Sequence, residues 1–339
     1  MKKALAVLLA LSMSLVMLAG CGAASSASAP AASSKAVSSS AASGSASTAS
    51  VSGKKVAVLI PGSVAYFTAT RAGSEEAAKK YGLELTFFDG NWDVATQLSQ
   101  IEDAITSGFD MIALCSCDAE GILPGIKAAN EAKVPIMTFT NAIGTDASGT
   151  VDGVVTYVGQ DEVETGKLCA QIASSLLGDK GGKVVCIEGK SGTYPQIYRT
   201  KGFEEGIQGK NIEIVYTQSG EWDKNKAMSI MEDLIQANTE MNLVFCQDDG
   251  MAAGVGQVLK ENNLKDKVYV VGLGGSKDGL AAMKDGLIDG DTFMSAKDEG
   301  YKAIEACAKA LGGEKVDTRT VMTQVEVNKD NLDTFTPEW

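Results

Sequence analysis

The chain carries 30 Lys and Arg against 43 Asp and Glu over 339 residues, a formal charge of -13, and has no histidine. The acidic balance argues against nucleic acid or an anionic membrane surface as a direct partner, because both are gripped by cationic patches. Without histidine a Ser/His or Cys/His nucleophile system is excluded, and the commonest metal ligand is missing.

Lys2 and Lys3 precede an uncharged apolar run over residues 4–18, which leads into Leu18-Ala19-Gly20-Cys21. A basic start, an apolar run and a small-residue exit make up a secretory signal, and the run falls short of the roughly 20 residues that span a bilayer. Residues 1–20 are expected to be removed as a signal peptide. Residues 21–52 are, after Cys21, almost entirely Ala, Ser and Gly. Such a segment buries too little apolar area to offset its backbone entropy and is expected to be a flexible tether. The remainder is near the size at which one core gives way to two.

Short apolar runs then alternate with longer helical patterns, the sign of βα units around parallel sheets. Strands are expected over residues 56–60, 83–88, 111–115 and 134–139, separated by helices starting near Thr68, Val94 and Gly121. The second helix is the clearest, because Val94, Leu98, Ile101 and Ile105 recur at helical spacing and form one stripe. Asp118 is placed to cap the third. A Gly-, Asp- and Thr-rich stretch over 144–153 is expected to be a surface loop beside a crossing, followed by a strand over 154–158. The alternation restarts with strands over 184–187, 212–216, 243–246, 268–271 and 292–295, and helices over 161–177, 196–208, 224–237, 250–261 and 277–284. A helix over 299–311 and one strand over 321–327 finish the series. Two similar series favour two α/β lobes over one large sheet.

Beyond Cys21, the cysteines at 115, 117, 169, 186, 246 and 307 sit in apolar runs or helical patterns. They read as buried free thiols, with disulfides the alternative in an exported chain. Cys115, at a strand end, is a candidate pocket thiol, and with no second Cys pair and no histidine there is no persuasive zinc site.

The first expected strand is followed by Pro61-Gly62-Ser63-Val64, not by spaced glycines that admit a pyrophosphate, and Gly272-Leu273-Gly274-Gly275 is only a partial glycine signature. Neither a P-loop nor a GxSxG nucleophile turn is present. Asp248 and Asp249 are the strongest local pair of carboxylates, and capping at a helix start accounts for them as well as catalysis does. The chain is therefore expected to be no enzyme, with no cofactor and no metal.

Several segments carry a likeness: Tyr66-Phe67 after the first strand, Tyr81-Gly82, residues 129–136, Arg199-Thr200-Lys201-Gly202-Phe203, residues 244–254, Val270-Val271-Gly272, Asp278-Gly279 and Asp285-Gly286. In this order the chain resembles the type I periplasmic sugar-binding proteins of ABC importers, especially the ribose/galactose-binding branch and its lipid-anchored relatives. The resemblance implies an α/β fold of two Rossmann-like parallel-sheet lobes joined by a three-segment hinge. Residues 54–157 plus 296–323 would form the N-terminal lobe, and 158–295 plus 324–339 the C-terminal lobe. Leu18-Ala19-Gly20-Cys21 resembles a lipobox, with Cys21 lipidated and the protein anchored outside the cytoplasm on the bacterial cell membrane.

The same resemblance implies a ligand at the strand ends between the lobes. Tyr66, Phe67 and Trp222 fall at positions whose aromatic faces stack on a sugar ring, core packing being the other reading for each. Asp248 stands where relatives bond ligand hydroxyls, and Thr140-Asn141 replaces a usual Asp-Arg pair. Gln160 belongs to the expected ligand set, as does Lys297, read either as a rim cation or as a solvated surface lysine. Cys115 and Gly274 stand where an asparagine and an aspartate are frequent; Val64 and Ile197 likewise replace an asparagine and an arginine. These departures make ordinary ribose or galactose doubtful and leave a sugar, polyol or related small polar metabolite. The implied partners are ABC permease subunits, with the chain itself a monomer; a sensory binding protein coupled to a membrane receptor is the alternative.

Overall fold

The computed structural model describes residues 50–339; the expected signal peptide, the Cys21 anchor and nearly all of the tether lie outside the described residues. The first half runs β1 (Lys55–Ile60), α1 (Ala65–Tyr81), β2 (Glu84–Asp89), α2 (Val94–Thr106), β3 (Met111–Leu114), α3 (Leu123–Glu131), β4 (Ile136–Phe139) and β5 (Tyr157–Gly159). It continues with α4 (Glu162–Leu177), β6 (Gly182–Glu188), α5 (Tyr194–Ile207), β7 (Ile212–Ser219), α6 (Lys224–Gln236), β8 (Leu243–Cys246), α7 (Asp249–Glu261) and β9 (Tyr269–Val271). α8 (Lys277–Lys284), β10 (Asp291–Phe293), α9 (Ala296–Leu311), β11 (Arg319–Val321) and β12 (Val325–Val327) complete it.

Two parallel sheets result, ordered β11-β5-β4-β3-β1-β2 and β7-β6-β8-β9, and the short antiparallel pair β10-β12 extends the second through bridges at Val271–Gly290 and Gly274–Phe293. The chain passes between the lobes three times: after β5, between β10 and α9, and between β11 and β12. Along β1 the pleat sends Val56 and Val58 to a core shared with α1 and α9, and Ala57 and Leu59 to a core shared with α2 and α3. The second sheet is covered in the same way, Val185, Ile187 and Val244 facing α6 and α7, and Val184, Cys186 and Phe245 facing α4 and α5. Both faces are therefore buried, which is why these strands read as continuous apolar runs rather than alternating ones.

Reciprocal glycines set the two closest helix pairs. A Cβ on Gly73 of α1 would stand 1.8 Å from the Lys297 carbonyl oxygen, and one on Gly300 of α9 would stand 1.9 Å from that of Thr70. In the other lobe, Cβ atoms on Gly166 of α4 and Gly202 of α5 would stand 2.2 Å and 2.0 Å from the carbonyl oxygens of Arg199 and Val163. Each pair thus docks backbone on backbone, fixing how far the strand-end loops lie from each other.

Beyond shifts of a few residues at element ends, two details differ from the sequence expectation. The single strand expected over 321–327 is split: β11 pairs with β5, the Met322 amide reaches the Gly159 carbonyl at 2.8 Å, and the chain then crosses to place β12 on β10. Only the polar pair Thr323-Gln324 interrupts the apolar residues at this crossing, too short a break to announce a change of sheet. Asp118 caps a turn rather than the helix itself, accepting from the amides of Glu120 and Gly121 at 3.0 and 2.6 Å, while α3 starts at Leu123. The cysteines at 115, 117, 169, 186, 246 and 307 are all buried and free.

Candidate functional site

Loops at the C-terminal strand ends of both sheets enclose a cavity of about 530 Å³. Open parallel sheets leave a crevice at this edge, where loops and helix N-termini present polar groups. The first lobe contributes Tyr66, Phe67, Trp92, Thr140 and Asn141, the second Trp222, Asp248 and Gly274 with Pro195, Arg199, Gln247 and Leu273. Met294 at a crossing and Trp339 complete the walls.

The two tryptophans that line the cavity from opposite lobes are held by one device used twice. After β2 the chain reads Gly90-Asn91-Trp92-Asp93, and after β7 it reads Gly220-Glu221-Trp222-Asp223. Asn91 and Trp92 have φ of 48° and 57°, and Glu221 and Trp222 both 59°, so each tryptophan sits in a left-handed turn. The following aspartate caps the next helix, Asp93 accepting from the Thr96 amide at 2.8 Å and Asp223 from the Lys226 amide at 2.7 Å. Each indole lies on a bare glycine: a Cβ at Gly62 would be 2.2 Å from Trp92 Nε1, and one at Gly189 would be 1.8 Å from Trp222 Cη2.

Tyr66 and Phe67 enter from the first turn of α1, edge to face at 5.5 Å. The Tyr66 hydroxyl donates to the Glu299 carboxylate, which also accepts from Thr140 Oγ1 at 2.8 Å and Gln160 Nε2 at 3.1 Å. Gln160 in turn accepts from Arg199, whose guanidinium forms a two-pronged pair with Glu162 at 2.7 and 3.0 Å and donates to the Gln247 carbonyl at 2.9 Å. This buried chain of polar groups passes from α1 and α9 through the first crossing to α4 and α5, and forms a floor beneath the cavity. Burial pushes the Glu299 carboxyl up to about 7, against the pull of the Tyr66 and Thr140 hydroxyls.

Asp248 caps α7, accepting from the Met251 amide at 2.7 Å, while its carboxylate borders the cavity. Burial first, and then the charge of Asp249, raise it to about 7, with the Met251 amide pulling the other way. Asp249 faces away from the cavity and holds the wall loop, accepting from the amides of Leu273 and Ser276. Burial and Asp249 together hold the carboxyl of Asp291, behind that loop, well above the usual range.

Of the residues singled out in the sequence, Tyr66, Phe67, Thr140, Asn141, Trp222, Asp248 and Gly274 are brought together on the cavity. The other three are not. Cys115 is fully buried in the core behind Tyr66, where burial raises its thiol well above the ordinary value. Gln160 acts within the polar floor, and Lys297 points outward to pair with Glu76 at 2.8 Å. Val64 borders the cavity, whereas Ile197 is exposed and outside it. Trp92, Glu299, Met294 and Trp339 were missed. Only Trp92 had a signal, the repeated Gly-x-Trp-Asp; no short motif announces the others.

No helix among the described residues is long and apolar enough to cross a membrane, and no group of three or more acidic or cysteine side chains among them is arranged to hold a metal ion. Residues 56–315 match the family model of the periplasmic binding protein domain. The chain is 32% identical over 251 residues to the ribose import binding protein of Bacillus subtilis (strain 168), covering 74% of this chain and 79% of that one. It is also 32% identical over 295 residues to a putative rhizopine-binding protein of Rhizobium meliloti, covering 84% and 94%. Among solved structures, an ABC transporter solute-binding protein from Bacillus halodurans C-125 with bound myo-inositol superimposes with a TM-score of 0.78 at 26% identity, over 84% of this chain and 97% of that one. The chain belongs to the periplasmic binding protein domain family, with the two-lobed fold of its type I sugar-binding members.

Proposed function

We propose that this protein is the extracytoplasmic solute-binding subunit of an ABC importer, and that a sugar, polyol or related small polar metabolite fills the cavity between its lobes. The observation that carries this reading is the pairing of aromatic walls from both lobes with the carboxylate of Asp248 on one cavity of about 530 Å³. Indole and phenol faces stack on the C–H face of a ring, while Asp248, Asn141 and Thr140 supply hydrogen bonds at its edge. A solute touching Trp92 and Trp222 at once gains contacts from both lobes only when they are closed, so binding favours closure. The missing partners at Gly274 and Val64 favour a ligand with fewer hydroxyls in those directions than ribose. The ribose and rhizopine relatives support the solute class.

Lipidation at Cys21, the tether beyond it and action as a monomer beside membrane permease subunits belong to the same reading, supported by the Leu18-Ala19-Gly20-Cys21 sequence and the Ala/Ser/Gly composition that follows. Native mass spectrometry of the purified protein, followed by denaturation and identification of the released molecule, tests the solute. A hydroxylated metabolite of one ring or one short chain is expected. Recovery of a chemically altered product from an added candidate would replace the binding role with an enzymatic one.

A further inference from the structure

Beyond β12 the chain does not leave the molecule; it returns to the cavity. The Phe335 ring packs on Phe293 of β10 at 5.0 Å. The Glu338 carboxylate then accepts from Ser295 Oγ at 2.7 Å and the Lys297 amide at 2.8 Å, tying the segment to the start of α9. Trp339 follows, its carbonyl held by the Lys277 amide of α8 at 2.7 Å and its ring edge-on to Tyr66 at 5.3 Å. The segment therefore touches the second lobe, a crossing and the first lobe in turn, and ends with an indole in the cavity wall.

That indole occupies a particular space. Gly274 has φ of 139°, a backbone that residues with a Cβ rarely adopt, and a Cβ built there would stand 3.1 Å from Trp339 Cζ2 and 3.2 Å from Cη2. Directly beside it, Asp249 Oδ2 would lie 3.2 Å away. A side chain at 274 would be crowded from its first atom, because Trp339 lies against the bare backbone where that side chain would begin and would have to shift by a few tenths of an ångström.

We propose that Trp339 is a specificity-determining residue of the solute site, an aromatic wall supplied from outside both lobes' strand-end loops that replaces a side chain at position 274 and limits the ligand to a single ring or short polyol. This rests on the solute-binding reading above and names what sets its size limit. An indole face offers stacking area and one N–H donor where an aspartate side chain would offer two acceptors. The site accordingly trades hydroxyl recognition at this wall for contact with an apolar ring face, and an extended ligand such as a disaccharide is excluded by the bulk of the indole.

The test is calorimetric titration of the unaltered protein, Trp339→Phe and Trp339→Ala with xylitol, D-ribose, myo-inositol and the disaccharide melibiose, with thermal melts to establish that each variant is folded. The unaltered protein is expected to bind at least one of the three small probes and not melibiose. Trp339→Ala is expected to weaken that small probe by about tenfold or more while melibiose gains, with Trp339→Phe between the two. A residue that merely braces the fold would weaken every probe alike and leave the ratio of small to large unchanged, so an unchanged ratio overturns the proposal. Binding of none of the four by the unaltered protein would instead overturn the solute reading on which it rests. Glu338→Ala, which frees the segment without touching the indole, is expected to move the ratio in the same direction as Trp339→Ala; a shift in the opposite direction also counts against the proposal.

Discussion

Trp92 and Trp222 occupy equivalent positions in the two lobes, each the third residue of a Gly-x-Trp-Asp turn with left-handed backbone, and each seated on a glycine of the neighbouring strand-end loop. The backbone bonds repeat as well. Gly90 donates to the Ile60 carbonyl at 3.0 Å and Asp93 to Gly90 at 2.9 Å; Gly220 donates to the Glu188 carbonyl at 2.8 Å and Asp223 to Gly220 at 2.9 Å. Both indoles are thereby fixed before a ligand arrives, and little ordering cost is left for binding to overcome.

From this arrangement Trp92→Ala and Trp222→Ala should each weaken the recovered solute by at least about tenfold, and Trp222→Phe by less, since a smaller aromatic face remains. Isothermal titration of the three variants reads this directly. Equal affinity in the unaltered protein and both alanine variants would remove the aromatic pair from the site.

The Arg199–Glu162 pair is almost fully enclosed, with side-chain exposures of 8% and 0%. Removing one partner leaves a buried charge unpaired, so Arg199→Met should cost about 3–5 kcal/mol in urea unfolding, whereas Arg199→Met combined with Glu162→Leu should recover much of it. Arg199 also donates to Gln160 and to the Gln247 carbonyl, so the double variant is expected to stay somewhat below the unaltered protein. A single variant as stable as the unaltered protein would show that the polar floor is not held by this pair.

Asp248 gives a pH signature. Its carboxyl rises from 3.8 to about 7 on folding, so the native state holds the proton more tightly than the unfolded chain. The stability this contributes is fully present below pH 3.8, and it is lost as pH rises through about 7. Asp249 adds repulsion and Arg199 relieves part of it. Asp248→Asn keeps a capping oxygen for the Met251 amide but does not titrate. Thermal melts of the ligand-free protein between pH 5 and pH 8 should therefore show the variant gaining on the unaltered protein as pH rises; parallel curves would mean that Asp248 is ionised throughout.

Much of the scaffold was readable because strands buried on both faces are short apolar runs and because α2 shows a single stripe that runs through the fully buried Ile101. Tyr66, Phe67, Trp222 and Asp248 were legible through their place directly after strands or in a family motif. Glu299 was not, since an acidic residue in the first turn of α9 looks like ordinary helix capping until Tyr66, Thr140 and Gln160 are seen converging on it. Lys297, two residues earlier on the same helix, turns outward because that helix surface faces Glu76 of α1. Trp339 depends on a return of the chain from β12 to the cavity, a long-range relationship that no local pattern encodes.

The reciprocal glycines give the last prediction, one that tests the fold beneath the site. At Gly166 and Gly300 the nearest atoms to an added Cβ are backbone carbonyl oxygens of the partner helix, at 2.2 and 1.9 Å. Backbone cannot turn aside as a flexible side chain can, so a methyl group there forces the helices apart. Alanine has the better helix propensity by about 1 kcal/mol, and that gain opposes the strain. Overpacking of about 1–3 kcal/mol is the larger quantity, so Gly166→Ala and Gly300→Ala should both lower stability. The effect on solute binding should differ between them. Gly300 adjoins Glu299, whose carboxylate receives the Tyr66 and Thr140 hydroxyls, so displacing α9 reaches the cavity wall directly. Gly166 lies against the Arg199 carbonyl, and its displacement reaches the wall through the guanidinium. Urea unfolding and titration on the same two variants separate the outcomes: a gain in stability at either position would mean that helix propensity outweighs the close approach there.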